Sequence, residues 1–384
     1  MKGWSKVALG ELLRRSDEAT VLAPAAEYHE VTIKLWGKGV VSRGKVLGSD
    51  VVSVRRIVRA NQLILSKIDA RNGAIGLVPP ELDGAIVSND FPSFEFRDLE
   101  RCDVAFMGWL VRSAPFVELC KAASEGTTNR VRIKEDRFLD QQVGLPPLSE
   151  QQAIVARLDA LAEKTREVEA HLDAVERDAE HLLALRFRDV IAEVPLLTMA
   201  EVAPLVRREQ TIDLNGIYPE LGIRSFGKGT FHKPPLSGSE VGTKRLYRIE
   251  PGDLLFSNVF AWERAIAIAQ PTDAGRFGSH RFITCCAVPG LVTAEFLRFY
   301  FLTDDGMLKI GEASPGGAGR NRTLGLEKLM AIEVPVPPLA AQQTFDRLQS
   351  DVAALKAKHA AVRQANAALI PATLERIFST EASK

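Results

Sequence analysis

The chain has 384 residues, 46% hydrophobic and 26% charged, with 49 basic against 49 acidic side chains. That is a globular composition, and it excludes a disordered chain, a fibrous chain and a uniformly basic nucleic-acid binder. No stretch is long and apolar enough for a membrane span, and Met1-Lys2-Gly3-Trp4-Ser5-Lys6 has no apolar core behind its charges, so no signal peptide is expected.

Cys102, Cys120, Cys285 and Cys286 form no C-x-x-C pair. They are expected to be reduced thiols of a cytoplasmic protein. Charge is nearly balanced along the chain except in 145–194, where 11 acidic residues face 6 basic ones. Any DNA surface must therefore arise from placing charge on one face, not from bulk charge.

In chain order, the first feature is Tyr28-His29-Glu30-Val31-Thr32-Ile33-Lys34-Leu35-Trp36-Gly37-Lys38-Gly39. It returns as Tyr218-Pro219-Glu220-Leu221-Gly222-Ile223-Arg224-Ser225-Phe226-Gly227-Lys228-Gly229. The near-constant spacing of about 190 then carries Gly48-Ser49 onto Gly238-Ser239 and Leu63-Ile64-Leu65-Ser66 onto Leu254-Leu255-Phe256-Ser257. It also carries Arg130-x-Arg132 onto Arg320-x-Arg322, and Pro146-Pro147-Leu148-x-x-Gln151-Gln152 onto Pro337-Pro338-Leu339-x-x-Gln342-Gln343. One unit is written twice. The period is too long for a solenoid repeat, so each copy should be a domain plus a connector.

The first part of each copy reads as β-rich mixed structure. Gln62–Ser66 and Asp253–Ser257 are strand-like, and Pro251-Gly252-Asp253 is the clearest turn. Phe106–Val111 and Glu295–Leu302 are apolar runs that could be buried helices, which periodicity does not settle at this length. The Trp36-Gly37-Lys38-Gly39 and Phe226-Gly227-Lys228-Gly229 runs suggest structural turns with a basic tip.

The second part of each copy is a long helix. Ser149 with Gln152 three residues on reads as a capping box, and Glu150 suits the helix dipole. Apolar positions follow at heptad spacing: Ile154, Leu158, Leu161, Thr165, Val168, Leu172, Val175, Ala179 and Leu182. The second copy repeats the seam as Phe345, Leu348, Val352, Leu355, His359, Val362, Asn366 and Leu369. Its closing Leu comes four residues earlier, Ala340 weakens its cap, and Pro371 should kink or terminate it. Each helix could pack on its own domain. The favoured alternative is that the two related helices pair antiparallel. At 1.5 Å per residue, 149–191 would span roughly 64 Å, enough to hold two modules one DNA turn of about 34–36 Å apart. His359 and Asn366 either fix the register of this seam or sit where it is solvated.

No catalytic motif is evident. A phosphate loop, an H-E-x-x-H helix, a C-x-x-C metal set, a G-x-S-x-G elbow and the Asn/Asp-Pro-Pro-Tyr/Phe run of adenine methyltransferases are all missing. His280 beside Arg281 reads as a packing or surface residue. Duplication without catalytic chemistry favours a binding protein that engages something two-fold.

The repeated Pro-Pro-Leu-x-x-Gln-Gln helix start resembles the conserved regions of type I restriction–modification specificity subunits. So do Leu65-Ser66-Lys67-Ile68-Asp69-Ala70-Arg71-Asn72-Gly73-Ala74-Ile75-Gly76 and Pro251-Gly252-Asp253-Leu254-Leu255-Phe256-Ser257. The resemblance implies an α+β architecture of two tandem-duplicated target-recognition domains, 1–148 and 195–338. Two long antiparallel coiled-coil helices, 149–194 and 339–384, would separate them. It implies a non-catalytic subunit whose domains each read one half of a bipartite target in double-stranded DNA. The helices would dock modification (methyltransferase) subunits, two in number. Restriction/translocase subunits would join. The chain itself would bind no cofactor or metal, while its partners would use S-adenosylmethionine and ATP/Mg. The competing reading is an interaction scaffold for a dimeric partner, with no DNA reading.

For DNA contact, Arg and Lys suit phosphates and guanine edges, and Asn suits adenine. The candidates are Lys38, Lys67, Arg71, Arg130, Arg132, Lys228, Asn258, Arg320 and Arg322. Positions that differ between the copies, Lys67 against Asn258 and Arg71 against Trp262, suit reading different half-sites. Arg55, Arg56, Arg59 and Lys244, Arg245, Arg248 form a second basic cluster in each copy. The docking seam is expected at Leu158, Leu161, Val168, Leu172, Phe345, Leu348, Leu355 and Val362. Glu263-Arg264 in place of Asn72-Gly73 puts the carry-over of that loop to the second copy in doubt.

Overall fold

A computed structural model describes residues 3–126, 131–316 and 322–379. Its contacts divide the chain into two compact units. One holds the residues up to Asp173 and those from His359 onward, and the other holds Ala174–Lys358. These units are not the two sequence copies, because each takes the start of one long helix and the end of the other.

In the first unit a five-stranded sheet has the order Ala19–Thr20, Arg55–Ile57, Ile86–Val87, Glu27–Ile33, Val40–Leu47. One pairing in it, Glu30 with Ile86, is parallel. A four-stranded antiparallel sheet has the order Leu13–Ser16, Ser93–Phe96, Leu63–Leu65, Ile75–Leu77. Ser5–Ala8 pairs with Gln142–Leu145, so the start of the domain is tied to the strand leading into the long helix. The apolar run near Phe106 is a helix, Val104–Leu110, whose N-cap Asp103 accepts from the Phe106 N–H. With Ala114–Ala122 it buries Phe106, Met107 and Phe116 against Leu63, Leu65 and Phe94.

The second unit repeats this plan. Thr230–Ser237, Ile217–Ile223, Phe277–Ser279 and Leu246–Arg248 form one sheet; Ile266–Ile268, Leu254–Ser257 and Phe282–Cys285 form the other. Leu196–Thr198 pairs with Glu333–Pro335. The helix Ala294–Leu302 buries Phe296, Leu297, Tyr300 and Phe301. The Pro251-Gly252-Asp253 turn is fixed by Gly252 at φ 89° and by Asp253, which accepts from the Glu250 N–H and takes Arg208 bidentate at 2.7 and 3.1 Å. Cys102, Cys120 and Cys285 are buried free thiols, each pushed up to about 12 by burial.

The long helices run Leu148–Val190 and Leu339–Phe378. Both begin one residue before the expected caps, so Ser149 lies inside the first turn. The capping-box expectation is corrected here, and with it the idea that Ala340 weakens the second start. What anchors each start is the first Gln of the pair. Gln151 is fully buried; it accepts from the Asp103 N–H at 2.8 Å and donates to the carbonyls of Arg101 and Pro146 at 2.9 and 2.8 Å. Gln342 repeats all three bonds, with Thr293, Leu291 and Pro337. The expected partner Gln152 is exposed.

Within each unit the two helices pair antiparallel. In the first unit Arg363 reaches Glu169 and Asp173, while Asn366, farther along, reaches Thr165 and Glu169. In the second, Phe345 stacks on Phe187 and Lys356 pairs with Glu180. His359 and Asn366 are both buried, which favours the register role over a solvated seam. The Asn366 amide donates to the Thr165 carbonyl at 3.0 Å and to Glu169 at 2.8 Å. That hydrogen bond, then Arg363, holds the Glu169 carboxyl below its ordinary range.

The heptad assignment needs a second correction. Leu158, Leu172 and Phe345 are buried, and Leu161, Leu348 and Leu355 are half-buried. Val168 and Val362, expected in the seam, are 37% and 43% exposed, and Leu182 and Leu369 also face out. The packed positions drift by one residue, to Glu169, Leu183, Arg363 and Ile370. A straight helix of 3.6 residues per turn moves a strict heptad stripe about 20° per heptad off the contact line. Nor are Leu182 and Leu369 equivalent ends of the seam, although the second helix is the shorter, 40 residues against 43. Leu183 and Phe187 pack in the second unit as Leu374 and Phe378 pack in the first, at one constant spacing in the repeat. Pro371 lies inside the helix, which runs on to Phe378.

Candidate nucleic-acid interface

In each unit a long hairpin carries an exposed tip. In the first, Glu27–Ile33 and Val40–Leu47 pair out to Ile33 and Val40, and the chain turns through Lys34–Gly39. Trp36 and Gly37 take left-handed φ values of 60° and 65°. This turns both N–H groups onto the neighbouring 3-10 turn, where Trp36 donates to the Asn72 carbonyl and Gly37 to that of Gly73, each at 3.0 Å. The second unit repeats the arrangement between Ile217–Ile223 and Thr230–Ser237. Phe226 (φ 61°) donates to the Glu263 carbonyl and Gly227 (φ 67°) to that of Arg264, each at 2.8 Å. Arg264 adopts φ 65° where the first copy has Gly73. The loop therefore carries over despite its different residues.

Each tip points a large aromatic ring outward: Trp36 is 71% exposed and Phe226 is 70% exposed. Each ring has a lysine two residues on in the same turn. Lys38 and Lys228 are exposed at the tips, with the Lys228 ammonium 5.7 Å from the Phe226 ring centre. Arg71 is half-buried on the 3-10 turn that holds the first tip, and no ion-pair partner for it occurs among the described residues. Its counterpart Trp262 lies under the Arg322 guanidinium at 5.6 Å.

Three other predicted residues, Lys67, Asn258 and Arg132, are already engaged. Lys67 is paired with Glu135 at 2.7 Å, and Arg15 holds the same carboxylate at 2.9 Å. The amide of Asn258 donates to the Leu324 carbonyl at 2.8 Å and so fixes the segment that leads into the helix Leu326–Met330. Arg132 is exposed and paired with Asp90 at 2.6 Å. Arg130 and Arg320 lie outside the described residues. In the second basic cluster Arg55 pairs with Glu30 and Arg56 with Asp17; Arg59 pairs with Glu18, and Arg248 with Glu250. These pairs account for basic residues that add little net field.

Sequence reasoning missed the tip aromatics and two arginines beneath them. Arg112 lies 4.2 Å over the Trp109 ring and against Gly37, where an added Cβ would come within 3.0 Å of its side chain. Arg298 donates to the Gly227 carbonyl at 2.8 Å. Beside the second tip, a cavity of about 880 Å³ is lined by Lys228, Arg298, Glu295 and Asp346 among others. Burial, and after it the neighbouring Glu295 charge, pushes the Asp346 carboxyl up to about 6. No group of three or more His, Cys, Asp or Glu side chains able to hold a metal ion occurs among the described residues, and no helix among them is long and apolar enough to cross a membrane.

No protein-family model and no curated protein sequence matches the chain. Solved structures do. The HsdS subunit from Thermoanaerobacter tengcongensis matches at 21% identity with a TM-score of 0.62, over 99% of this chain and 98% of that one. A chain from a study of complex assembly and conformational transition of the type I R-M system matches at 22% identity with a TM-score of 0.69, over 99% of both chains. From end to end, the chain carries the mixed helix-and-sheet fold of the HsdS subunits of type I restriction–modification systems.

Proposed function

We propose that this chain is the DNA specificity subunit of a type I restriction–modification enzyme, with no catalysis of its own. Residues 1–148 and 195–338 each read one half of a bipartite target. The long helices space them and dock two modification subunits, which bring S-adenosylmethionine and methylate adenine. Restriction/translocase subunits using ATP and Mg complete the assembly. Double-stranded DNA is the ligand, and the cytoplasm is the compartment.

The observation that carries this reading is the duplicated tip. Two hairpins built alike, each with an exposed lysine beside an aromatic and a 3-10 turn of different sequence, suit a split target with two different halves. Shared positions, Lys38 with Lys228, suit backbone contact. Differing ones, Arg71 against Trp262 with Arg322, suit base reading. Lys67 and Asn258 remain candidates for contact through their exposed edges, although both side chains also hold their own loops together.

The test is methylome sequencing of cells that express the chain with its modification subunit. A split adenine-methylation motif is expected. Replacing residues 1–144 with the corresponding part of a related chain should change one half of that motif only. Methylation that is absent without being restored by any modification subunit, or a swap that changes both halves, overturns the proposal.

A further inference from the structure

Trp36 and Phe226 are anomalous surface residues. Each is a large apolar ring about 70% exposed, and each occupies a left-handed backbone conformation that L residues adopt at a cost. A glycine in the same place would relieve that strain. Both copies nevertheless keep an aromatic there, followed in each by Gly-Lys-Gly, while the residue before it and the 3-10 turn beneath have diverged: Leu35 against Ser225, Arg71 against Trp262, Asn72 against Glu263, Gly73 against Arg264.

The rings are also held firmly. Two backbone hydrogen bonds per tip fix each hairpin turn to its 3-10 turn, and the arginine beneath braces it: Arg112 packs on Gly37, and Arg298 bonds the Gly227 carbonyl. A fixed apolar ring that projects from a rigid hairpin, with a lysine on its flank, has the chemistry of a wedge. Such rings enter between stacked bases or lie on a base face while neighbouring cations hold the phosphates. The cations distinguish this from an ordinary protein contact. Lys34, Lys38 and Arg71 lie on the first hairpin turn and its 3-10 turn, and Arg224, Lys228 and Arg264 on the second; the Lys228 ammonium is 5.7 Å from the Phe226 ring centre, while the Arg224 guanidinium lies 5.1 Å over Phe231. Among the described residues, Arg264 has a charged partner, the exposed Asp304 at 3.3 Å, and none occurs for the others.

We infer that Trp36 and Phe226 are wedge residues, one per half-site, that stack on or between bases of the duplex. This rests on the DNA-reading function proposed above and adds to it a non-electrostatic, sequence-tolerant contact. The two aromatics would grip and locally unstack DNA in the same way on both sides, while the neighbouring turns supply the difference in sequence.

The test measures binding of the full chain to its methylated-motif duplex, and to a scrambled duplex, across a range of salt concentrations. Trp36→Gly suits the left-handed backbone, so it should fold, and its melting curve checks that it does. Phe226→Gly is the matching variant in the other unit. Each should weaken binding by roughly tenfold or more on both duplexes. The slope of log affinity against log salt should not change, because no ion is released by a ring. Lys38→Ala is the contrasting variant and should lower that slope by about one. Trp36 fluorescence, isolated as the difference between the wild type and Trp36→Phe, should be quenched on binding.

If wild-type chain binds no DNA, the function itself fails. If wild type binds and Trp36→Gly binds equally well, the wedge fails and the function stands. If Trp36→Gly keeps DNA affinity but no longer assembles with the modification subunit, the ring is a protein contact and the wedge is wrong.

Discussion

Replacing Gln151 by Ala should destabilise the first unit by about 3 kcal/mol or more. The side chain is fully buried and makes three bonds, one accepted and two donated, all between 2.8 and 2.9 Å. Alanine leaves the Asp103 N–H and the Arg101 and Pro146 carbonyls without that partner. A net hydrogen bond contributes about 1 kcal/mol, and a buried group stranded without one costs about 1–3 kcal/mol. The lower figure, taken three times, gives the estimate, and the void left by the amide adds to it. The Asp103 N–H also sits at the start of the helix Val104–Leu110, so the loss spreads into that helix. The assay is urea denaturation of the full chain, followed by a probe in each unit. Gln342→Ala should do the same to the second unit, where its three bonds are equivalent. Gln152→Ala, at an exposed position, should stay within about 0.5 kcal/mol. The reasoning is refuted if Gln151→Ala costs under 1 kcal/mol, or if Gln152→Ala costs as much as Gln151→Ala, which is the result a capping box would give.

On the helix seam, Val168→Ser and Val362→Ser should change stability by no more than about 0.5 kcal/mol, whereas Leu158→Ala and Phe345→Ala should each cost about 3 kcal/mol; equal effects in urea melts would restore the heptad assignment. Asp346 is raised in the folded state to about 6, so its contribution is fully present below the carboxylate's unfolded value and is lost as pH rises through about 6. Asp346→Asn should therefore stabilise the second unit near pH 8 by about 1–2 kcal/mol after allowance for solvent screening, with the gain vanishing toward pH 4 in a pH series of melts. A chain of residues 1–194 lacks Leu374 and Phe378, which fill the core beside Trp4 and Phe106. It should associate in pairs, with Leu183 and Phe187 of each copy taking their place; a stable monomer by sedimentation would count against this.

Much of the fold was legible because the duplication is. Matching runs at one spacing revealed two like bodies and two like helices, and short strands such as Leu63–Leu65 and Leu254–Ser257 fell where their apolar runs and bounding turns put them. What misled was periodicity read alone. A 4,3,4,3 stripe of apolar residues fits a supercoiled seam. Here, though, the line of contact passes through Glu169, Arg363 and Asn366, whose polar groups bond one another and so tolerate burial. Once such a network is available, the apolar stripe no longer determines the contact line, and Val168 can face out. The Gln-Gln pair misled for a similar reason. Its spacing matches a capping box, but the loop before Asp103 is brought to the helix start by tertiary structure, which local sequence does not contain.

The site was less legible, and charge explains why. Arg and Lys were the natural candidates, yet many of them are tied to nearby carboxylates: Lys67 to Glu135, Arg132 to Asp90, Arg55 to Glu30, Arg59 to Glu18. Such pairing cancels charge locally, so a basic residue read from the sequence need not present a positive field at the surface. Lys38 and Lys228, exposed at the two hairpin tips, are among the described cations with no acidic partner. Each tip also carries an aromatic set apart by its exposure and its positive φ, two properties a sequence does not display. The repeat offered one usable signal. Where two diverged copies both retain an aromatic beside Gly-Lys-Gly, at a turn that glycine would suit better, the retained ring marks something the backbone alone does not require.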